Sequence, residues 1–300
     1  MSISFQTAAL IGKSDAVRLT STLSELYSHL VSRGVRVIVE QDTAPLIPAD
    51  GLEMTTLEEL GERCDFAVVV GGDGALLSAV RSLAGYDVPL IGVNLGRLGF
   101  LVDISPARIA FHLDEILDGR FSLEERFMLR ASILRQGELI YQQAAINEVV
   151  IHRGNTTSMI EIETSIDGAF LNSQRSDGLI VSTPTGSTAY ALSAGGPILS
   201  PRLKAIVLAP INPHTLSNRP IVVDSDSVIE TAFCPCRDFA AQVVCDNVIS
   251  PVLEMGDRIV IRKEPKPFRL LHPPGYDFFE ILRAKLNWSS DYRKRHVDPS

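Results

Sequence analysis

The chain has 300 residues, of which 45% are hydrophobic and 21% are charged. This length and composition are typical of a globular protein with one or two domains, and they exclude a disordered tail, a collagen-like chain and a small disulfide scaffold. Lys and Arg number 28 against 36 Asp and Glu, so the net charge is −8. An acidic chain argues against a sequence-independent nucleic-acid or membrane-surface binder, but backbone amides and a metal ion can still hold phosphates.

Cysteine usage and the N-terminus predict a cytoplasmic protein. The four cysteines are too few for a disulfide framework. Cys234 and Cys236 with Cys245 nearby are compatible with a metal site, but no histidine is close in sequence and we interpret them as reduced thiols on β-strands. No segment approaches the ~18 apolar residues of a membrane helix, and residues 1–11 are typical of a first strand rather than a signal peptide.

Up to about residue 125, predicted strands alternate with predicted helices. Apolar or β-branched runs predict strands at residues 7–11, 35–39, 66–70 and 90–93. Apolar residues at helical spacing predict helices at residues 16–30 (with Ser14 or Asp15 as the N-cap and Gly34 as the stop), 56–63, 75–83 and 106–117. This βαβ series predicts an α/β domain at residues 1–125 with a parallel sheet and right-handed crossovers.

From residue 126 to 275 the hydrophobic period becomes two, which predicts a second, mostly antiparallel β domain. Asp167–Gly168 is a predicted two-residue hairpin turn within it. Residues 276–286 return to helical spacing, and we expect the segment 276–300 to pack back on the first domain.

Three segments carry the chemistry. Gly71-Gly72-Asp73-Gly74 follows a buried strand and precedes a helix, which is where open parallel sheets bind ligands. The glycines allow close backbone approach or positive φ, the helix N-terminus offers N–H groups to a phosphate, and Asp73 is placed to accept a proton or bind a metal. The alternative is a tight turn with Asp73 as a helix cap.

The other two segments are Asn147–Glu148, before a predicted strand, and the run from Arg175 to Ile198, which is rich in Gly, Ser and Thr. The first suits a hydroxylated ligand or a surface turn, and the second suits a flat, hydroxyl-rich ligand or an ordinary loop. The chain has no Gly-x4-Gly-Lys-Ser/Thr motif, and Gly92, Gly96 and Gly99 lack the Gly-x-Gly-x-x-Gly spacing. A P-loop ATPase and a Rossmann oxidoreductase are therefore disfavoured.

Together these segments resemble the NAD kinases over nearly the whole chain. The resemblance rests on Gly71–Gly74, the glycine segment 92–101, Asn147–Glu148, the long motif 177–198 and the segment 213–217. The first turn is shared with diacylglycerol kinase-like and phosphofructokinase proteins, whose fold the resemblance implies for the N-terminal domain.

The resemblance implies an activity and its partners. ATP would phosphorylate the 2′-hydroxyl of the adenosine ribose of NAD, with a divalent metal, Mg²⁺ by preference, entering with the nucleotide. Residues 1–125 would form the nucleotide-phosphate domain and 126–275 the NAD-binding domain, with the NAD site in the cleft between them. NAD and ATP are the implied partners, with no nucleic acid and no membrane, in a homo-oligomer (dimer or tetramer) whose neighbouring subunit completes the site.

The resemblance also assigns residues. Asp73 would be the general base and, with Gly74, would contact NAD, while Gly71 and Gly72 would face phosphates. No residue is assigned as a metal ligand. The implied NAD contacts are Asn147, Glu148, Arg175, Asp177, Thr188, Ala189, Tyr190, Ala191, Leu192 and Ser193. His214 is either a neighbour of the site or a structural histidine.

The chain departs from the usual family pattern at Ala75, at Ser158 and at Asp246-Asn247-Val248. These departures bear on the choice of phosphoryl donor, on one phosphate contact and on one glutamine contact, respectively. The competing functions are a diacylglycerol-kinase-like lipid kinase, which would need an apolar pocket and a basic or amphipathic patch, and a non-catalytic dinucleotide sensor, which would not need Asp73.

Overall fold

The computed structural model describes residues 5–13, 18–96, 99–155, 158–234 and 239–288. The chain divides into two compact units, which we call the α/β unit (residues 1–125 and 268–300) and the β unit (residues 126–267). The predicted N-caps Ser14 and Asp15 and the cysteine Cys236 lie outside the described residues.

The described elements are listed here in chain order. The α-helices are α1 (Leu19–Ser32), α2 (Leu57–Arg63), α3 (Asp73–Leu83), α4 (Ile109–Leu117), α5 (Tyr190–Ser193) and α6 (Phe278–Leu286). Short 3-10 helices lie at Ala44–Leu46, Pro106–Arg108 and Gly186–Thr188. The strands are β1 (Thr7–Lys13), β2 (Arg36–Glu40), β3 (Glu53–Thr55), β4 (Phe66–Gly71), β5 (Leu90–Asn94), β6 (Ser122–Arg126), β7 (Leu129–Arg135), β8 (Glu138–Ala145), β9 (Glu148–Arg153), β10 (Ile160–Ile166), β11 (Ala169–Ser176), β12 (Gly178–Ser182), β13 (Ala205–Ile211), β14 (Ile221–Asp224), β15 (Ile229–Phe233), β16 (Ala241–Cys245), β17 (Val248–Ile249), β18 (Arg258–Lys263) and β19 (Phe268–His272).

The α/β unit is built on a seven-stranded sheet in the order β3-β2-β1-β4-β5-β19-β6. The pairs from β3 through β19 are parallel, which confirms the predicted sheet type. Strand β4 is buried at every residue. Its Phe66, Val68 and Val70 share one apolar cluster with α1 and α4, and α3 packs against the same strand. The sheet centre is therefore covered on both faces, as a continuous apolar strand requires.

Helix boundaries follow local chemistry. Helix α2 begins after Thr56, whose hydroxyl accepts the Glu59 N–H at 3.4 Å, and α6 begins after Asp277, whose carboxylate accepts the Phe279 N–H at 2.8 Å. Helix α1 is followed by Gly34 at φ +75°. Helix α3 begins at Asp73, two residues before the predicted start.

The β unit consists of two six-stranded sheets whose pairings are antiparallel, in the orders β11-β10-β15-β18-β7-β8 and β14-β13-β12-β9-β16-β17. Leu129 and Ile133 of the first sheet share a core with Ile151, Leu179 and Leu208 of the second, so the sheets pack face to face. The predicted antiparallel domain is confirmed. The predicted turn at Asp167–Gly168 is also confirmed, with φ of 51° and 79°.

One boundary differs from the expectation. We placed residues 268–275 in the β domain, but β19 pairs with β5 through Leu270 and Leu90 and belongs to the seven-stranded sheet. The Leu270–Leu271 pair is buried in that unit. A strand of five residues is too short for its hydrophobic pattern to show which of the two domains it belongs to.

Candidate functional site

The turn after β4 presents open backbone. An added Cβ at Gly72 or Gly74 would meet nothing within 4 Å, whereas one at Gly71 would lie 2.5 Å from the Lys13 carbonyl oxygen. Gly71 is therefore required by packing against β1, and Gly72 and Gly74 are the positions that a phosphate can approach. None of the three has positive φ, so of the two properties that glycine offers here, close backbone approach is the one that applies.

Asp73 is the first residue of α3, and it does not cap that helix. Its carboxylate accepts three consecutive backbone N–H groups, from Phe100 at 2.9 Å, Leu101 at 3.0 Å and Val102 at 3.2 Å. An added Cβ at Gly99 would lie 2.1 Å from Asp73 Oδ1. Two glycine segments that are distant in sequence thus form one structure around a half-buried carboxylate. Arg97 and Leu98 of the second segment lie outside the described residues.

A cavity of about 760 Å³ opens in the β unit. Among its lining residues are the predicted Glu148, Asp177 and Tyr190. They come from the start of β9, from the residue between β11 and β12, and from the start of α5. Asp246 lines the cavity as well, so the cavity gathers three acidic side chains and a tyrosine from four segments of the sequence.

Glu148 is a half-buried acid of this cavity. Burial, and secondarily the charge of Asp246, raise the pKa of its carboxyl to about 8, although the neighbouring Tyr190 backbone N–H partly opposes this. Glu148 Oε2 is buried and has no hydrogen-bond partner among the residues that the structure describes. A neutral carboxyl at pH 7 can donate a hydrogen bond as well as accept one.

Asp177 has the opposite electrostatics. It accepts hydrogen bonds from Asn212 Nδ2 at 2.9 Å and from Arg153 Nε at 2.7 Å. The amide of Asn212, followed by the Arg153 guanidinium, lowers the pKa of the Asp177 carboxyl. The cavity thus contains one ionised, oriented carboxylate, Asp177, and one neutral carboxyl, Glu148.

Other predicted contacts do not line this cavity. Arg175 is exposed on the edge strand β11, and its carbonyl accepts the His214 N–H at 2.9 Å. The Asn147 carbonyl accepts the Thr183 N–H at 2.9 Å and the Ser182 hydroxyl at 3.2 Å, so its backbone joins β9 to the loop after β12. The remaining predicted contacts surround Tyr190 in the sequence and are Thr188, Ala189, the buried Ala191, Leu192 and Ser193.

Two family models match the chain. The ATP-NAD kinase N-terminal domain matches residues 9–121, and the ATP-NAD kinase C-terminal domain matches residues 146–272. The chain belongs to the ATP-NAD kinase family. It is similar to the NAD kinase of Methylococcus capsulatus, with 61% identity over 286 residues that cover 95% of this chain and 98% of that protein. It is also similar to the NAD kinase of Hahella chejuensis, with 48% identity over 286 residues that cover 95% and 97%.

The chain is also similar to solved structures of an NADH kinase and an NAD kinase. The chain superposes on yeast NADH kinase complexed with NADH with a TM-score of 0.87 at 26% identity, covering 96% of this chain and 89% of that one. It superposes on the Archaeoglobus fulgidus NAD kinase in complex with ATP with a TM-score of 0.70 at 27% identity, covering 96% and 99%. The N-terminal ATP-NAD kinase model includes the Asp73 turn, and the C-terminal model includes the cavity residues named above.

Several residues of this ATP-NAD kinase cavity were missed by sequence reasoning. They are His152, Arg153, Asn155 and Asn212. His152 had a detectable signal, because Glu148, Val150 and His152 alternate along β9 and therefore share a face. Arg153 had no such signal, since its pairing with Asp177 depends on β9 and β12 being neighbours.

Asp246 was noticed only as a departure from the family pattern. Its carboxylate accepts the backbone N–H groups of Ile146, Asn147 and Glu148. Cys245, which precedes it on β16, is buried and is a free thiol. Among the described residues, Cys64 and Cys234 are also free, and no group of three or more His, Cys, Asp or Glu side chains is placed to hold a metal ion.

Proposed function

We propose that this chain transfers the γ-phosphoryl group of ATP to the 2′-hydroxyl of the adenosine ribose of NAD, giving NADP and ADP. The observation that carries the proposal is the Asp73 turn. It places a half-buried, oriented carboxylate and two open glycines at the carboxyl end of a central parallel strand. Curated relatives named NAD kinase, at up to 61% identity over 95% of the chain, support the same reaction.

Asp73 is the proposed general base. The ribose oxygen attacks the γ-phosphorus, the bond from that phosphorus to the β–γ bridging oxygen breaks, and the hydroxyl proton passes to Asp73. A carboxylate has about four acceptor sites, and three backbone N–H groups already occupy part of this capacity. The remaining acceptor site is available to a ribose hydroxyl. The N–H groups of residues 100–102 fix the orientation of the Asp73 carboxylate.

The phosphates of the substrates are the proposed ligands of the α/β unit. Gly72 and Gly74 offer backbone that a phosphate can approach, and the N-terminus of the eleven-residue α3 attracts negative charge. Gly71, the third proposed phosphate residue, is also required by its packing against Lys13. Transfers of this kind depend mainly on positioning and electrostatics.

The β unit is the proposed NAD-binding unit. Glu148, Asp177 and Tyr190 line its cavity and offer hydrogen bonds and an aromatic face to hydroxyl, amide and base groups. We retain Asn147, Arg175 and the segment 188–193 as further proposed NAD contacts. Asn147 precedes Glu148, Arg175 lies two residues before Asp177, and the segment contains Tyr190.

A divalent metal is proposed to enter with ATP as part of the substrate. Magnesium keeps several waters and binds phosphate oxygens with one or two carboxylates. Asp73 supplies the carboxylate of the glycine turn, and both of its oxygens already accept backbone N–H groups. These residues fit a metal held chiefly by nucleotide phosphates, which would neutralise charge as the phosphoryl group moves.

We further propose a cytoplasmic homo-oligomer. Self-association is supported by exposed apolar side chains on both edge strands of one sheet, namely Leu139 and Ile140 on β8 and Phe170 and Leu171 on β11. No helix among the described residues is long and apolar enough to cross a membrane.

The test is NADP formation by the purified protein with ATP, Mg²⁺ and NAD, followed with an NADP-specific dehydrogenase. NADH and polyphosphate are run in parallel as alternative substrates. We expect turnover that requires metal and falls sharply in Asp73→Asn. Binding of NAD or NADP without turnover would instead indicate a dinucleotide sensor, and absence of binding would reopen the lipid kinase alternative.

A further inference from the structure

A tight hairpin turn places Asp246 against the start of β9. Cys245 and Val248 are paired residues of β16 and β17, so Asp246 and Asn247 form a two-residue turn. Their φ angles are 45° and 73°, as a type I′ hairpin requires. The turn leaves the Asp246 side chain buried, with 6% of its surface exposed.

Asp246 is both a hydrogen-bond acceptor and a hydrogen-bond donor to the backbone of residues 146–148. Its carboxylate accepts the N–H groups of Ile146, of Asn147 at 2.9 Å and of Glu148 at 3.0 Å. Its own N–H donates to the Glu148 carbonyl at 3.3 Å. Hydrogen bonds to a charged acceptor are stronger than those between neutral groups, so this set fixes the backbone from which Glu148 projects.

The Glu148 carboxyl is the group that this backbone presents to the cavity. Its Oε2 is buried without a hydrogen-bond partner among the described residues. The groups that face it are the Asp246 carboxylate and the Tyr190 backbone N–H. Cys245 adds no charge, because burial raises the pKa of its thiol to about 12. Asp177, Arg153 and His152 line the same cavity.

We propose that Asp246 is a positioning residue for dinucleotide recognition, holding the Ile146–Glu148 backbone so that the Glu148 carboxyl faces the ligand. This inference rests on the proposed function. Glu148 is protonated near neutrality, because burial and, secondarily, the charge of Asp246 raise the pKa of its carboxyl. Glu148 then donates a hydrogen bond to an acceptor of the dinucleotide, such as a ring nitrogen, hydroxyl or carbonyl oxygen.

The test measures the dissociation constant of NAD by calorimetry, without ATP, between pH 6 and pH 9.5. The proteins are the wild type, Asp246→Asn, Glu148→Gln and the double variant. Asparagine keeps the shape of Asp246 but turns an N–H toward at least one of the three donors. For Asp246→Asn we expect NAD binding at pH 7 to weaken about tenfold or more. We expect its kcat, measured separately with ATP at saturating NAD, to stay within a few-fold of wild type.

The pH profile separates positioning from a general loss of structure. Wild-type affinity should fall above about pH 8, where Glu148 loses its proton. Asp246→Asn removes a charge that raises this pKa, so the midpoint should move to lower pH. Glu148→Gln should abolish the midpoint, and Asp246→Asn should cause no pH shift in that background.

Asp167→Asn is the matched control. Asp167 also occupies a two-residue turn at positive φ, and its carboxylate accepts the Val228 N–H at 2.7 Å, but it does not line the cavity. This variant should leave the NAD affinity and midpoint unchanged. If Asp246→Asn fails to fold, the comparison of wild type with Glu148→Gln still tests the inference, because a pH midpoint that persists in Glu148→Gln would show that Glu148 is not the titrating group and would overturn it.

The outcomes distinguish the two proposals. A wild type that binds NAD, with an unchanged affinity and midpoint in Asp246→Asn, overturns the positioning role and leaves the proposed function intact. A lower kcat with unchanged NAD affinity overturns it as well. A wild type that binds neither NAD nor NADP overturns the proposed function, and the inference with it.

Discussion

Asp73 in the α/β unit and Asp246 in the β unit make the same contacts in different surroundings. Each carboxylate accepts three consecutive backbone N–H groups, from residues 100–102 and 146–148 respectively. Asp73 is half-buried at a helix start between exposed glycines, whereas Asp246 is buried in a hairpin turn beside the carboxyl of Glu148. We therefore expect Asp73 to face the substrate directly, and Asp246, which also lines its cavity, to act mainly through the Glu148 backbone that it holds.

The largest expected effect is that of Asp73→Asn. Asparagine can still accept one or two of the three N–H groups, so most of the loop contact survives while the base is lost. Loss of a general base typically lowers the rate by about 10²–10⁴-fold. We expect kcat to fall at least about 100-fold with a KM for NAD within a few-fold, measured by steady-state kinetics. A near-normal kcat would reduce Asp73 to a loop anchor, like Asp246.

The second prediction concerns the free energy of unfolding and its dependence on pH. The folded pKa of Glu148, about 8, exceeds the ordinary value of 4.5. The folded state therefore binds more protons than the unfolded state between these values, and stability falls as pH rises through this window. From pH 5 to pH 8, wild type should lose about 3–4 kcal/mol more than Glu148→Gln, measured by urea unfolding. Parallel curves would mean that Glu148 is not the acid that Asp246 faces.

The third prediction disturbs the Asp73 clamp without touching its carboxylate. In Gly99→Ala the new Cβ would lie 2.1 Å from Asp73 Oδ1 and 2.5 Å from Val102 Cγ2, so the carboxylate must move. We expect kcat to fall about tenfold and stability to fall by about 1–3 kcal/mol. Gly85→Ala is the control, because an added Cβ there meets nothing within 4 Å. Equal kcat values in the two variants would show that the position of the carboxylate is not critical.

The two regions also differ in how far the sequence predicted them. The Asp73 turn was found because a continuous apolar strand, a glycine turn and a helical pattern are adjacent in the chain. Its link to residues 99–102 was not derivable, since it depends on how β4 and β5 pair. The cavity was predicted only in part. Glu148, Asp177 and Tyr190 belong to recognisable motifs, but Arg153, Asn212 and Asp246 reach them through strand neighbours.

The smallest expected effect is that of Asn147→Ala. The Asn147 backbone carries the described contacts, to Asp246, Thr183 and Ser182, and an alanine keeps all of them. We therefore expect the KM for NAD to rise only a few-fold, by the loss of about one hydrogen bond from the side-chain amide, with kcat and the KM for ATP unchanged. Steady-state kinetics with each substrate varied in turn measures this. A change confined to the KM for ATP would reverse the assignment of NAD to the β unit. An effect as large as that of Asp246→Asn would mean that the amide, and not the Glu148 carboxyl, is the main ligand contact that the Asp246 clamp positions.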